Sequence, residues 1–452
     1  MASLSCSAQG CGWRFPWCDA CQGHPAQLRQ SLVLPLRLNI ANCAFSRPSL
    51  TGHWCKPPGQ GTLTGEGDYH ARLQGTHATA IDELMRIAVL SPMINPLAEP
   101  FAGGTEAVTA QIARGLAERG HTVTVFATEG SGVPGTELRT MGLKPSALRW
   151  LAPPDQLDGA TMRALLVAEQ RAFHGILLWL RAHAAKYDLV HNNSFSGTPL
   201  LLADSVGVPF VTTLHVPPVL LEQVAALRTL AENGTPSRLI AVSHGLAQEF
   251  GTITPVGKVI HNGVEIPADS EVAPDQHLLF VGRLVPEKGA DLAISIARAA
   301  GCTLLIAGRI EDDAFYRREI APHVDGTSVI YLGHLSQGEV WSHMSRAAAM
   351  LFTPRWPEPC SLAVLEGLSR GTPAIAFATG GLVEQVIDGE TGFLVPPGDL
   401  TAAAGAIAKL GQVSREACRA DMVQRFSRDA MVSKYEAYFQ KIIEGARPSQ
   451  GG

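Results

Sequence analysis

AMLFTPRWPEPCSLAVLEGLSRGTPAIAF, residues 349–377, is the stretch from which the rest of the chain can be read. AMLFTP is strand-like, a proline-bearing loop follows, and a helix then stops at GTPAIAF. Glu358 and Glu366 stand eight positions apart, a little over two helical turns. A helix beginning near Ser361 therefore raises Glu366 from its second turn and leaves Glu358 in the loop ahead of it. A helix start offers unpaired N–H groups, here those of Ser361 and Leu362, and a partial positive charge to an anion. Flanking carboxylates accept hydrogen bonds from sugar hydroxyls, so the stretch reads as a site for a sugar joined to phosphate. Upstream, GRLVPEKG (282–289) sets Arg283 and Lys288 after the strand HLLFVG, at the opening of the next helix. Two cations at the end of a strand can neutralise a diphosphate as it takes on charge.

Each feature has a plainer alternative when taken singly. A glutamate pair at this spacing arises in many helices, and Arg283 with Lys288 would suit a solvated helix start. Order and spacing decide between the readings: the cation pair, AG after LLI, LGHLS, the glutamate pair, then TGGLVEQVIDGETGFLVPPGD (379–399). In this order the segments resemble the retaining glycosyltransferases of family four, which use nucleotide-sugar donors. The resemblance covers roughly residues 85–445. It implies an α/β GT-B architecture, two Rossmann-like domains facing across a cleft, and no cofactor beyond the nucleotide-diphosphate sugar as co-substrate. It also implies roles. Glu358 would hold sugar hydroxyls, Glu366 the nucleotide ribose, Arg283 and Lys288 the diphosphate, and His215 the donor sugar from the other domain. Gly103, Gly104, Ser361 and Leu362 would complete the donor site. No D-x-D pair stands near it to hold a metal; Glu311, Asp312 and Asp313 lie at an expected helix start, where acidic residues belong. One departure concerns the residues after Glu-Pro, where the family has an aromatic and a glycine and this chain has Cys360 and Ser361. Serine can still donate its backbone N–H and cap the helix, but donor preference stays open.

From Met85 the chain alternates strands and helices. RIAVLSP reads as a buried strand, NPLAEPFAGGTE as a loop whose Gly103 and Gly104 let backbone approach a ligand, and AVTAQIARGLAERG as an amphipathic helix ending at Gly120. HTVTVFA, YDLVHNN, PFVTTLH and RLIAVS continue the strands. His215 ends PFVTTLH at the carboxyl end of a strand, where open α/β sheets bind ligands; a structural histidine capping the strand is the alternative. KVIHNGVE closes the first run, IPADSEVAPDQ is a linker, and HLLFVGR, CTLLIAG and SVIYLG repeat the alternation with helices between, including one through DDAFYRREIAP. The expected organisation is an extension over 1–84, an acceptor domain over 85–262, a donor domain over 263–428, and a helix over 429–447 that returns to the first domain.

The formal charge of −5 leaves no basic excess to meet nucleic-acid phosphates, and no uninterrupted apolar run approaches 18 residues. A cytoplasmic enzyme is expected. The helical, Arg-bearing stretch 159–187 leaves peripheral contact with the inner membrane surface open, although a helix packed on the sheet with its basic face in water is the simpler reading. Partners are thus a nucleotide-sugar donor and a saccharide, lipid-linked or small-molecule acceptor. A nucleotide-sugar 2-epimerase of the same fold and a non-catalytic nucleotide-sugar sensor are the rival readings; a phosphorylase would need a pyridoxal-bearing lysine. Six of the nine cysteines fall in the first 55 residues, including the C-x-x-C of Cys18 and Cys21. With no partner segment for a zinc site, a disordered extension is the expectation. Because the β/α pattern begins complete at Met85, removing residues 1–84 is expected to leave folding and donor turnover intact. A truncated protein that is insoluble, or that loses zinc on purification, would refute this.

Overall fold

In the computed structural model, residues 84–144, 159–235, 238–268 and 273–446 are described. Nearly all of the extension with its cysteines, and part of the linker, lie outside them. Seven parallel strands build the first sheet: β1 (Arg86–Leu90), β2 (Thr122–Phe126), β3 (Glu137–Arg139), β4 (Leu189–Asn192), β5 (Phe210–Leu214), β6 (Arg238–Ala241) and β7 (Lys258–Val259). Their order is β3-β2-β1-β4-β5-β6-β7. β1 and β2 expose only their first residue, and β4 and β5 are buried throughout. Parallel strands covered by helices on both faces need such unbroken runs of apolar and small residues.

Six parallel strands build the second sheet: β8 (Leu278–Val281), β9 (Leu304–Ala307), β10 (Val329–Gly333), β11 (Ala349–Phe352), β12 (Ala374–Phe377) and β13 (Gly392–Val395), in the order β10-β9-β8-β11-β12-β13. The two sheets form two α/β domains. In each, the strand order reverses at one point, between β1 and β4 in the first and between β8 and β11 in the second. Crevices open at the carboxyl ends of the strands at such points. The loops that leave β8 and β11 carry GRLVPEK and PRWPEPC.

One expected helix is not continuous. Through DDAFYRREIAP the chain makes a short α-turn (Asp313–Phe315), a π-turn (Tyr316–Ile320) and a 3₁₀ turn (Ala321–His323). Pro322 lacks the N–H that an α-helix would require there. Among the described residues, no helix is long and apolar enough to cross a membrane.

The helix Gly104–Glu118 buries Val108, Ile112, Ala113 and Leu116 on one stripe against the first sheet. The last helix, Arg428–Ala446, joins the same core through Met431, Val432, Tyr435 and Phe439. Arg119–Glu436 at 2.6 Å and Arg428–Glu118 at 2.8 Å fix its edge. The packing does more than these part-exposed ion pairs, because each buried side chain contributes about 1.5–3 kcal/mol and an exposed pair about 0–1 kcal/mol. The two helices meet at Gly115, where a Cβ would stand 2.5 Å from Val432 Cγ2. Gly115→Ala gains helix propensity but overpacks this contact, so a net loss of about 1–3 kcal/mol is expected. Adding Val432→Ala should recover part of the lost melting temperature. A Gly115→Ala protein as stable as wild type would show that the helices do not meet there.

Candidate active site

Two turns grip the loop that leaves β11. Arg355 N–H donates to Glu287 O (2.9 Å), and Thr353 Oγ1 donates to Gly289 O (2.8 Å). Gly289 has φ +72°, and a Cβ there would lie 1.9 Å from Thr353 O, which only glycine avoids. On the other side, Gly381 N–H donates to Glu358 O (2.6 Å), and a Cβ on Gly381 would lie 2.0 Å from Pro359 O. The glycines of EKG and TGG are thereby explained by close approach of backbone.

The grip brings Lys288 onto Glu358. Lys288 Nζ donates to both carboxylate oxygens, at 2.9 and 2.7 Å, and Trp356 Nε1 donates to Oε2 at 2.8 Å. Glu358 is 8% exposed, so the pair is largely withdrawn from water. The ammonium also stands 5.4 Å from the centre of the Trp356 ring. Two of its three N–H groups are thus engaged, and the third remains for a ligand. Arg283 Nη1 donates to Glu311 Oε2 (2.7 Å), and Arg309 binds the other oxygen of Glu311 (2.6 Å). Burial opposes ionisation of Glu311, but the two guanidiniums outweigh it and hold its carboxyl below the ordinary range.

The helix Leu362–Ser369 starts beside this cluster. Ser361 does not play the part expected of it. Its side chain makes no capping bond, and its N–H donates to Gln385 Oε1 (3.0 Å) while Gln385 Nε2 donates to Ser361 O (2.9 Å). The side chain of Gln385 occupies Ser361 from both sides, so the N–H groups left for an anion begin at Leu362. Across the cleft, a Cβ at Gly104 would touch Leu362 Cδ1 at 3.6 Å, so the starts of two helices, Gly104–Glu118 and Leu362–Ser369, face each other. Gly103, extended at φ −155°, precedes the first of them. Glu366 rises from the second turn and accepts from Gln337 Nε2 at 2.7 Å. Burial pushes its carboxyl up to about 7, with Arg370, Trp341 and Gln337 drawing it back.

His215 lines the same cleft from the first domain, 8% exposed. Burial lowers its pKa to about 3, so the ring is neutral. Its Nε2 donates to Asn193 Oδ1 (3.0 Å), Asn193 Nδ2 donates to His191 Nδ1 (3.3 Å), and His191 Nε2 donates to Thr213 Oγ1 (2.8 Å). Thr213 in turn meets the Tyr435 hydroxyl at 3.3 Å. This chain assigns the proton to Nε2 of His215 and leaves Nδ1 as an acceptor.

All nine residues named from the sequence line one cleft of about 660 Å³ with walls from both domains. Three further residues of the cleft and one outside it, Glu384, carry no motif signal of that strength. Trp356 orders Glu358, and Glu106 receives Asn95 Nδ2 (2.9 Å) on the first-domain wall. Asn262, in HNGVE, is 6% exposed, and its Oδ1 has no hydrogen-bond partner among the described residues. Glu384, in TGGLVE, accepts from the backbone N–H groups of His244 and Gly245 (2.9 Å each) and meets His261 Nε2 (2.7 Å), tying the second domain to the first.

The family model for Glycosyltransferase Family 4 matches residues 102–266, and that for Glycosyl transferases group 1 matches residues 265–425. The chain is similar to a D-inositol 3-phosphate glycosyltransferase of Mycobacteroides abscessus, 30% identical over 381 residues, covering 73% of this chain and 82% of that one. It is also similar to a glycogen synthase of Mycobacterium tuberculosis, 27% identical, covering 78% and 91%. Among solved structures, Anabaena HepE in complex with UDP-glucose shares the fold, with a TM-score of 0.58 at 21% identity over 79% of this chain and 100% of that one.

The carboxyl of Glu366 yields a pH test. A hydroxyl donor binds the ionised form, so nucleoside diphosphate affinity is expected to fall about tenfold from pH 8 to pH 6 as the group protonates through about 7. Glu366→Gln should lose that excess dependence, while titration of the ligand's own phosphate is common to both proteins. Parallel calorimetric profiles for the two would sink the idea.

Proposed function

The chain belongs to glycosyltransferase family 4 and its group 1 glycosyl transferases, and on that premise we propose that it moves a hexosyl group from a nucleotide-diphosphate sugar to an acceptor hydroxyl, with retention and without a metal ion. The observation that carries the reading is the meeting of Arg283, Lys288 and the Leu362 helix start around Glu358 at the switch point of the second sheet. As the bond from the anomeric carbon to the diphosphate lengthens, positive charge builds on the ring and negative charge on the leaving oxygen. Arg283, the free N–H of Lys288 and the amides from Leu362 onward stabilise that oxygen, and such preorganised stabilisation is usually the largest catalytic contribution.

Glu358, fixed by Lys288 and Trp356, accepts sugar hydroxyls, and Glu366 accepts from the ribose. His215, neutral and with Nδ1 free to accept, orients the sugar from the opposite wall. The acceptor hydroxyl attacks the face from which the diphosphate departs, its proton passing to the departing phosphate oxygen as the new glycosidic bond forms. Retention follows without a covalent enzyme intermediate. UDP-glucose, bound in HepE, is the first donor to test.

The developing charge falls on the cations, so Arg283→Ala or Lys288→Ala should lower kcat on the order of 10²-fold under saturating donor. Glu366→Ala should act mainly on donor KM. Chelator should leave transfer unchanged. Near wild-type rates in all these variants would place the chemistry elsewhere, and EDTA inactivation reversed by magnesium or manganese would overturn the metal-free mechanism.

A further inference from the structure

The two walls of the cleft differ in kind. Its cations, Arg283, Lys288 and Arg309, come from the second domain and are tied to Glu311 and Glu358. The first-domain wall sets the apolar Ile94, Phe101, Phe195, Val216, Val219 and Leu220 beside the polar Asn95, Thr105, His215 and Asn262 and the helix start at Gly104. Among the described residues lining the cleft, no Lys or Arg comes from that domain. Its charged group is instead a carboxylate, Glu106, 5% exposed and held by Asn95. The apolar surface continues outward along the segment that follows His215: Val219 is 58% exposed and Leu221, at the start of the helix Leu221–Glu232, 84%. Val216, Val219 and Leu220 thus line the cleft after His215, and Val219 and Leu221 offer apolar surface to solvent.

Resting on the transferase reading above, we infer that the acceptor is an uncharged hydroxyl compound with an alkyl or aryl body, its hydroxyl near His215 and its apolar part against Val216–Leu221. A phosphorylated polyol, the acceptor in the name of the similar D-inositol 3-phosphate glycosyltransferase, would find on that wall the helix start at Gly104 with Glu106 in its first turn, and no Lys or Arg among the described residues to pair with it. Like charges close together in a cleft repel, and an unpaired phosphate loses its hydration there. A long polar glucan would leave these apolar side chains facing water or hydroxyls. Burial of alkyl groups on them supplies affinity that a polar acceptor cannot use.

The test uses the full-length protein and three probes: hexyl β-glucoside, methyl β-glucoside and myo-inositol 3-phosphate, with binding by calorimetry and transfer from UDP-glucose. Hexyl glucoside is expected to bind and accept at least tenfold better than methyl glucoside, and inositol 3-phosphate to do neither measurably. Val219→Asp, at an exposed position where folding tolerates the change, should remove at least fivefold of the hexyl advantage. Preference for inositol 3-phosphate, equal affinity for the two glucosides, or an unchanged advantage in Val219→Asp would overturn the inference. UDP-glucose binding reports separately on the transferase reading. If it fails while the hexyl preference stands, the donor assignment falls and the acceptor wall remains.

Discussion

Confinement of the Glu358 loop by backbone on both sides is the constraint on which the cleft depends. Gly289 beneath Thr353 and Gly381 against Pro359 bring three segments, distant in sequence, within hydrogen-bonding reach. Once they are so close, Lys288 has Glu358 within 2.7 Å, and Trp356 is drawn onto the same carboxylate. A largely buried ion pair adds little net stability, because desolvation offsets attraction. Losing one partner, by contrast, strands a charge at about 3–5 kcal/mol. The pair is therefore better understood as fixing where a carboxylate and an ammonium stand than as holding the domain together. The apolar cores do that, through residues such as Leu351, Ile375 and Phe377.

Most of the frame could be read from local sequence, since buried parallel strands appear as short apolar runs and the helices between them carry their own period. RIAVL, LLIA and AMLF are strands as their composition implies. The glutamate pair could be read because both members flank one helix start. What sequence concealed is pairing across distance. Nothing local says that Lys288 will hold Glu358, or that Gln385, 24 residues on, will take the N–H of Ser361. Ser361 reads as a cap because serine usually is one, yet its side chain makes no capping bond, and the side-chain amide of Gln385 holds its backbone N–H and C=O. The interrupted helix after Asp312 had its signal in Pro322, against an otherwise helical composition.

Between the domains, Glu384 adds to the cap that the helix His244–Gly251 already receives from Ser243, whose side chain accepts from Leu246 N–H at 3.2 Å. The helix His244–Gly251 has two of its first N–H groups satisfied by a carboxylate from the other domain, with His261 of the connecting segment on the same oxygen pair. The positive end of that helix favours the carboxylate, and burial opposes its ionisation; the hydrogen bonds prevail, holding its carboxyl below the usual range. The contact sits in the same TGGLVE segment that grips Glu358. Relative placement of the domains and placement of the Glu358 carboxylate thus share one short piece of chain.

The last helix has a consequence for synthesis. Val432, Tyr435 and Phe439 belong to the core of the first domain, and Tyr435 ends the polar chain behind His215, yet they are made after every strand of the second domain. As the polypeptide leaves the ribosome, the first domain waits with an apolar flank uncovered while the second is translated, and is completed only when the final turns arrive. Each nascent molecule therefore passes through an interval of exposed apolar surface whose length is set by translation speed. A frameshift near the end of the reading frame would be felt first in the first domain, the half translated earliest.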